Sequence, residues 1–239
     1  MPAPVRFPNG VTNVGPTDPM GQLSMPDPTR IHAYFNDFDT YNAADWTLTE
    51  TSAGATQAVR GTVAGGNGGI LDLTQNGAGG ATDVNQLQLA NETFLITPGK
   101  QLWFKSRFAA TAGTMANFGI LMGLTITDTT AVAGVSDGIF FRKQTGVSTL
   151  EHVLCFNAAE TTTGALATVT TATFLTAGFY YNGKDAVEVY VNDVKVATHT
   201  TLTNLVQDEE LAVTIASVNA TAAAANLLAC DYIFAAMDR

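Results

Sequence analysis

The sequence predicts an all-β fold, two antiparallel sheets packed as a sandwich behind an extended N-terminal arm. Three observations predict it. Val187, Val189 and Val191 alternate with Glu188 and Tyr190, so an extended segment there has one apolar side. Asn182-Gly183 before this run and Asn192-Asp193 after it tolerate positive φ and mark turns. The stretch from Phe179 to Thr200 therefore reads as an antiparallel meander, which needs a second layer over its valine face. Finally, nothing in the chain shows sustained helical periodicity, and no repeat of fixed period is visible.

Residues 1–30 differ in composition from all that follows. Seven of the eight prolines stand at positions 2, 4, 8, 16, 19, 26 and 28, which denies the segment helix and central-strand hydrogen bonding. Val5, Phe7, Val11, Val14, Met20, Leu23 and Met25 are spaced along it like anchors for another surface. In polyproline geometry thirty residues would reach about 90 Å, enough to cross a neighbouring subunit. The alternative reading is a disordered leader. The domain division is thus 1–30 as arm and 31–239 as sandwich.

From Ile31 the pattern is one of strands. Ile31, Ala33 and Phe35 share a face, and Phe38 follows a change of register. Trp46 to Thr49 and Thr56 to Val63 are weaker. Glycine-rich connections flank Ile70 to Leu73, Val84 to Leu89 and Thr93 to Thr97 follow, and Pro98-Gly99 makes a turn. Gln101 to Phe108 is two-faced, with Leu102, Phe104 and Phe108 opposite Trp103, Lys105 and Arg107, a side unusually cationic for this chain. Phe118 to Leu124 is apolar on both sides and suits the centre of a sheet. Ile139 to Arg142, Leu150 to Phe156, Thr161 to Thr173, Leu211 to Ile215 and Leu227 to Ala235 complete the series. Ala222 to Ala225 reads as one helical turn at most.

Composition narrows the function. Hydrophobic residues make up 46% of the chain and charged residues 13%, too few charges to spread over a bare monomer, so partner-covered surface is expected. A net charge of −10 with 11 scattered Lys and Arg excludes a nucleic-acid footprint. No apolar run is long enough for a membrane helix, and a secretory signal is not expected. Cys155 and Cys230 read as a pair or as two reduced core thiols.

No motif carries convincing chemistry. Gly134-Val135-Ser136-Asp137-Gly138 fits G-x-S-x-G, yet it precedes a strand instead of joining a strand to a helix, so it reads as a turn. A glycosidase needs two carboxyl groups at a set separation. Asp37 and Asp39 sit at a strand end, and Glu188 has no carboxylate two residues away. His32, His152 and His199 are expected to be isolated on separate strands, with no metal-ligand spacing. The sequons at Asn91 and Asn219 read as chance. Trp46, Trp103, Tyr180, Tyr181 and Tyr190 are candidates for stacking on sugar rings, with core packing or oligomer contact favoured.

Ile31 to Tyr41, Gly69 to Leu73, Phe118 to Leu124 followed by Asp137 to Phe141, the Val187 to Val191 meander and Asp231 to Phe234 together resemble the concanavalin A-like jelly-roll head decoration (cement) proteins of tailed bacteriophages. The resemblance implies a noncatalytic protein on the outer surface of the virion, assembled in the host cytoplasm and bound to the major capsid protein. It further implies an arm that ties the protein to the shell and to its own copies as a dimer or trimer. The arm residues named above are then the contacts, with Trp103, Lys105 and Arg107 docking from the sandwich, and neither cofactor nor metal is expected. The glucanase E-x-D-x-E strand is absent. A carbohydrate-binding module or receptor-binding fibre tip is the alternative reading, and a glycoside hydrolase a distant third.

Overall fold

In a computed structural model the described residues are 29–51, 54–60, 69–76, 83–220 and 225–239. The arm anchors Val5, Phe7, Val11, Val14, Met20, Leu23 and Met25 lie outside them, as does most of the proposed turn at 222–225. In chain order the strands are β1 Ile31–Asn36, β2 Trp46–Glu50, β3 Thr56–Val59, β4 Leu71–Thr74, β5 Val84–Leu89, β6 Phe94–Leu95, β7 Leu102–Thr111 and β8 Phe118–Thr125. There follow β9 Gly138–Lys143, β10 Thr149–Phe156, β11 Ala159–Thr168, β12 Leu175–Tyr181, β13 Val187–Val191, β14 Val194–His199, β15 Glu210–Asn219 and β16 Leu227–Asp238.

They form two antiparallel sheets packed face to face as a jelly roll. The first runs β11-β10-β9-β8-β15-β5-β2, with β6 paired to the start of β15. The second runs β14-β13-β12-β7-β16-β4-β3, with β1 paired to the far half of β16. Alternation supplies one face of each to the core, where Leu102, Phe104 and Phe108 meet Ile120, Met122, Phe141 and Phe179. Phe104 and Phe179 stack with centroids 5.1 Å apart.

The sequence places β8 at a sheet centre, and all of its residues are buried between β9 and β15. A Cβ on Gly123 would fall 2.4 Å from Phe140 Cβ, so only glycine allows β9 this close. The meander is also found as expected. Asn192 and Asp193, at φ 49° and 62°, make the two-residue turn into β14. Asn182 Oδ1 accepts from the amides of Lys184, Asp185 and Ala186 and closes the other turn.

Three local expectations are corrected. The shared face of Ala33 and Phe35 points to solvent, and Phe35 is 61% exposed. His32 and Tyr34 turn toward the body instead, packing on Phe94 and Trp46. Phe38, at φ 53°, is swung into the core by the turn in which Asn36 Oδ1 accepts its amide. A short helix, α1 Ala131–Gly134, breaks the all-strand pattern; at four residues it is too short to leave a periodicity.

The third correction concerns the histidines. His152 on β10 and His199 at the end of β14 are not isolated. Both are buried, and His152 Nδ1 lies 3.0 Å from His199 Nε2, which also lies 3.1 Å from Thr163 Oγ1. The two strands belong to different sheets that meet at one side of the sandwich, a juxtaposition that sequence spacing does not encode. Burial pushes the pKa of both rings down, and for His152 the neighbouring His199 adds to this. Cys155 and Cys230 are free and buried.

Candidate docking face

Alternation on β7 turns Trp103, Lys105 and Arg107 to the outer side of the second sheet. On β12 they stand opposite Tyr180, Gly178 and Thr176, and on β16 opposite Ala236, Phe234 and Tyr232. Tyr190 of β13 lies beside Gly178, and Phe35 of β1 beside Phe234. One row, Phe35-Phe234-Lys105-Gly178-Tyr190, therefore crosses five strands. Trp103 and Tyr180 stack in the next row, centroids 5.6 Å apart and 27° between planes.

Gly178 interrupts this outer layer of side chains. The gap is a groove of about 370 Å³ walled by Trp103, Tyr180, Tyr190, Lys105 and Phe234. A Cβ at Gly178 would approach Phe104 O to 3.0 Å and begin to fill it. Trp46 and Tyr181 are buried and do not take part. Of the aromatic residues singled out from the sequence, the fold gathers Trp103, Tyr180 and Tyr190 at one place, because β7, β12 and β13 are neighbours.

The face is less cationic than its sequence suggests, because its charges are paired. Lys105 Nζ lies 2.6 Å from Asp193 Oδ1, and this hydrogen bond holds the ammonium pKa up. Arg107 is bonded to Asp231 and lies 4.2 Å over the Phe174 ring. Glu188 accepts from Tyr190 Oη at 2.5 Å and from Lys195 Nζ at 2.9 Å. Those two bonds, the tyrosine's first, hold the Glu188 carboxyl below its usual range. What remains is aromatic surface with a polar, internally neutralised rim. Phe234, Tyr232 and Gly178 were not singled out from the sequence, and only the strand pairing brings them in.

The opposite broad side is different. The segment 126–137, carrying α1, lies on the outer face of the first sheet over an apolar cluster of Leu121, Val132, Val135, Phe140 and Val153. Gln88 fastens it, donating to Ile126 O at 2.9 Å and accepting the Asp128 amide at 2.9 Å. Gln86 accepts the Ala131 amide at 3.1 Å and donates to Asp128 O. Farther along, buried Arg142 bonds Glu151 at 2.7 Å and Glu160 through two nitrogens at 2.7 and 2.8 Å. Both carboxylates are thus engaged in a structural triad.

Beside α1 a larger cavity, about 730 Å³, is lined by Thr51, Asp83, Val132, Gln144, Val218 and Asn219 among others, with no aromatic ring. Ser136 lies between α1 and β9, with Gly138 opening the strand, so no strand-to-helix elbow presents it. Among the described residues no group of three His, Cys, Asp or Glu could hold a metal ion.

No protein-family model and no curated protein matches the chain. Solved structures share the fold. A protein of unknown function from Shewanella oneidensis MR-1 is 15% identical with TM-score 0.62, covering 87% of each chain. The carbohydrate recognition domain of Emp47p is 11% identical with TM-score 0.60, covering 88% of this chain and 98% of that one. A carbohydrate esterase from the Shiga toxin-encoding bacteriophage phi24B is 15% identical with TM-score 0.54, covering 87% and 97%. The jelly roll is thus shared with carbohydrate-binding proteins, enzymes and a phage protein.

Proposed function

We propose that the chain is a noncatalytic decoration protein that binds the outer surface of a viral capsid, contacts the major capsid protein and stabilises the shell. The observation that carries this reading is the asymmetry of the sandwich. The chain's own segment 126–137 lies across part of one broad side, while among the described residues no segment lies over the other, which presents exposed Phe35 and half-buried Trp103, Tyr180, Tyr190 and Phe234 amid paired charges. Aromatic residues amid paired charges on a sheet face suit contact with another protein. The apolar, proline-rich residues 1–28 supply a second contact, multiplied over many copies on a shell.

Cosedimentation with undecorated shells of the cognate capsid protein tests it. Saturable capture is expected, lost when residues 1–28 are removed and at least tenfold weaker in a Trp103→Ala, Tyr190→Ala double variant, with thermal melts reporting the fold. Shells that take up none of the full-length protein would end this reading.

Saccharide binding is a second reading, favoured by the groove itself, where Trp103, Tyr180 and Tyr190 stand near the polar Thr176 and Asp193. Saturable signal on a glycan array, abolished by Tyr190→Ala, would support it.

A further inference from the structure

We propose that the cavity beside α1 is a binding site for a small aliphatic amine, with the Asp83 carboxylate receiving its ammonium head. The site is independent of capsid attachment, because it is lined from the first sheet and α1 and shares no residue with the groove over Gly178.

Strand pairing fixes the acidic wall. Asp83 stands directly before β5, which runs between β2 and β15. On one side the Val84 amide donates to Thr51 Oγ1 at 2.8 Å, and the Thr51 amide donates to Val84 O at 3.1 Å. On the other, the Asn219 amide donates to Asp83 O at 2.9 Å. The backbone that carries the carboxylate is thus held from both sides before a ligand arrives, which lowers the ordering cost of binding. A Cβ at Gly119 would meet Val218 Cγ1 at 2.7 Å, Val132 Cγ1 at 2.9 Å and Thr145 Cγ2 at 3.2 Å. Those three side chains line the cavity and pack over the glycine as a closed floor.

Asp83 is the anomaly in this wall. It is 6% exposed, and its Oδ2 is buried with no hydrogen-bond partner among the described residues. A buried carboxylate oxygen without a donor is costly, and such atoms are nearly always paired in folded proteins. Among the described lining residues there is no Lys, Arg or His to neutralise it.

The ligand class follows from the lining. At about 730 Å³ the cavity has room for a small molecule. One carboxylate and no cation select a positive group over a negative one. Without an aromatic ring there is no platform for a sugar or a base, whereas Val84, Val132 and Val218 suit methylene groups. Among the described residues no group of three His, Cys, Asp or Glu could hold a metal ion, so the lone carboxylate fits an organic cation better than a divalent one. An ammonium brings the charge and three donors. Gln144 donates through Nε2 to Glu151 at 3.1 Å, which leaves its Oε1 as a second acceptor in the lining.

Backbone amide NMR spectra of the full chain, titrated at constant ionic strength with butylamine, diaminobutane and the neutral butanol, test the assignment. Saturable shifts are expected with both amines at the amides of Thr51, Val84, Val132, Gln144 and Asn219, and butanol should bind at least tenfold more weakly. Asp83→Asn, which keeps the shape and removes the charge, should weaken both amines at least tenfold. Ala133→Trp, at an exposed position of α1 that lines the cavity, should abolish the shifts. Thermal melts report the fold of each variant, and the ratio of amine to alcohol binding on the unaltered protein decides the matter if either folds poorly. Equal binding of amine and alcohol, or no saturable shift with either amine, overturns the proposal. So do shifts scattered over the surface, which would reflect only the net charge of −10. Calcium chloride acting on the same amides at lower concentration than the amines would assign Asp83 to a metal ion and overturn it too.

Discussion

Acid should loosen this sandwich through one pair of rings. His152 is 0% and His199 4% exposed, and among the described residues no carboxylate is hydrogen-bonded to either ring to stabilise an imidazolium. Phe141 and Phe179 pack edge-on against His152. The folded chain therefore keeps the rings neutral, with pKa values depressed by burial below the ordinary 6.5. The unfolded chain takes up protons as pH falls through 6.5 and the folded chain does not, so stability is complete above that value and declines below it until the folded pKa values are reached. From pH 7.5 to 5.5, a ring that stays neutral in the fold costs on the order of 1 kcal/mol, which is the ceiling for each of the two. Urea unfolding at pH 7.5, 6.5 and 5.5 measures this directly. A His152→Phe, His199→Gln variant should be less stable at pH 7.5 yet lose correspondingly less on acidification, since carboxylates and His32 titrate equally in both proteins. Equal losses in the two proteins over that range would refute the account of the pair.

Gly123→Ala should destabilise by about 3 kcal/mol or prevent folding, because its methyl would collide with Phe140 Cβ at 2.4 Å and with Ile139 O at 2.6 Å; the urea midpoint reports it. Arg142→Met should cost about 1–3 kcal/mol, because it removes charge-assisted hydrogen bonds from Glu151 and Glu160 but leaves both carboxylates within reach of water. Arg107→Ala, at a half-exposed pair with Asp231, should cost less than about 1 kcal/mol in the same assay.

What the sequence revealed follows from how far apart the interacting residues lie. The β12-β13-β14 meander was legible because its alternation and turn residues are local, and β8 because eight successive positions avoid charge. Trp103, Lys105 and Arg107 were legible as one side of a strand, but their partners Tyr180, Gly178 and Phe234 were not. They reach β7 from strands roughly seventy to one hundred and thirty residues later in the chain, and only sheet order places them. The His152-His199 contact was hidden for the same reason. The change of register before Phe38 was legible, but its means, a turn in which Asn36 Oδ1 accepts the Phe38 amide, is a side-chain contact that hydrophobic periodicity does not register.

The clamping of segment 126–137 by Gln86 and Gln88 has a consequence for assembly. Among the described residues it gives the two broad sides different coverings, so the molecule resembles a tile with one glazed surface. If copies are laid on a common support as proposed, all would lie the same way up, and the two glutamines would help to set which side faces outward.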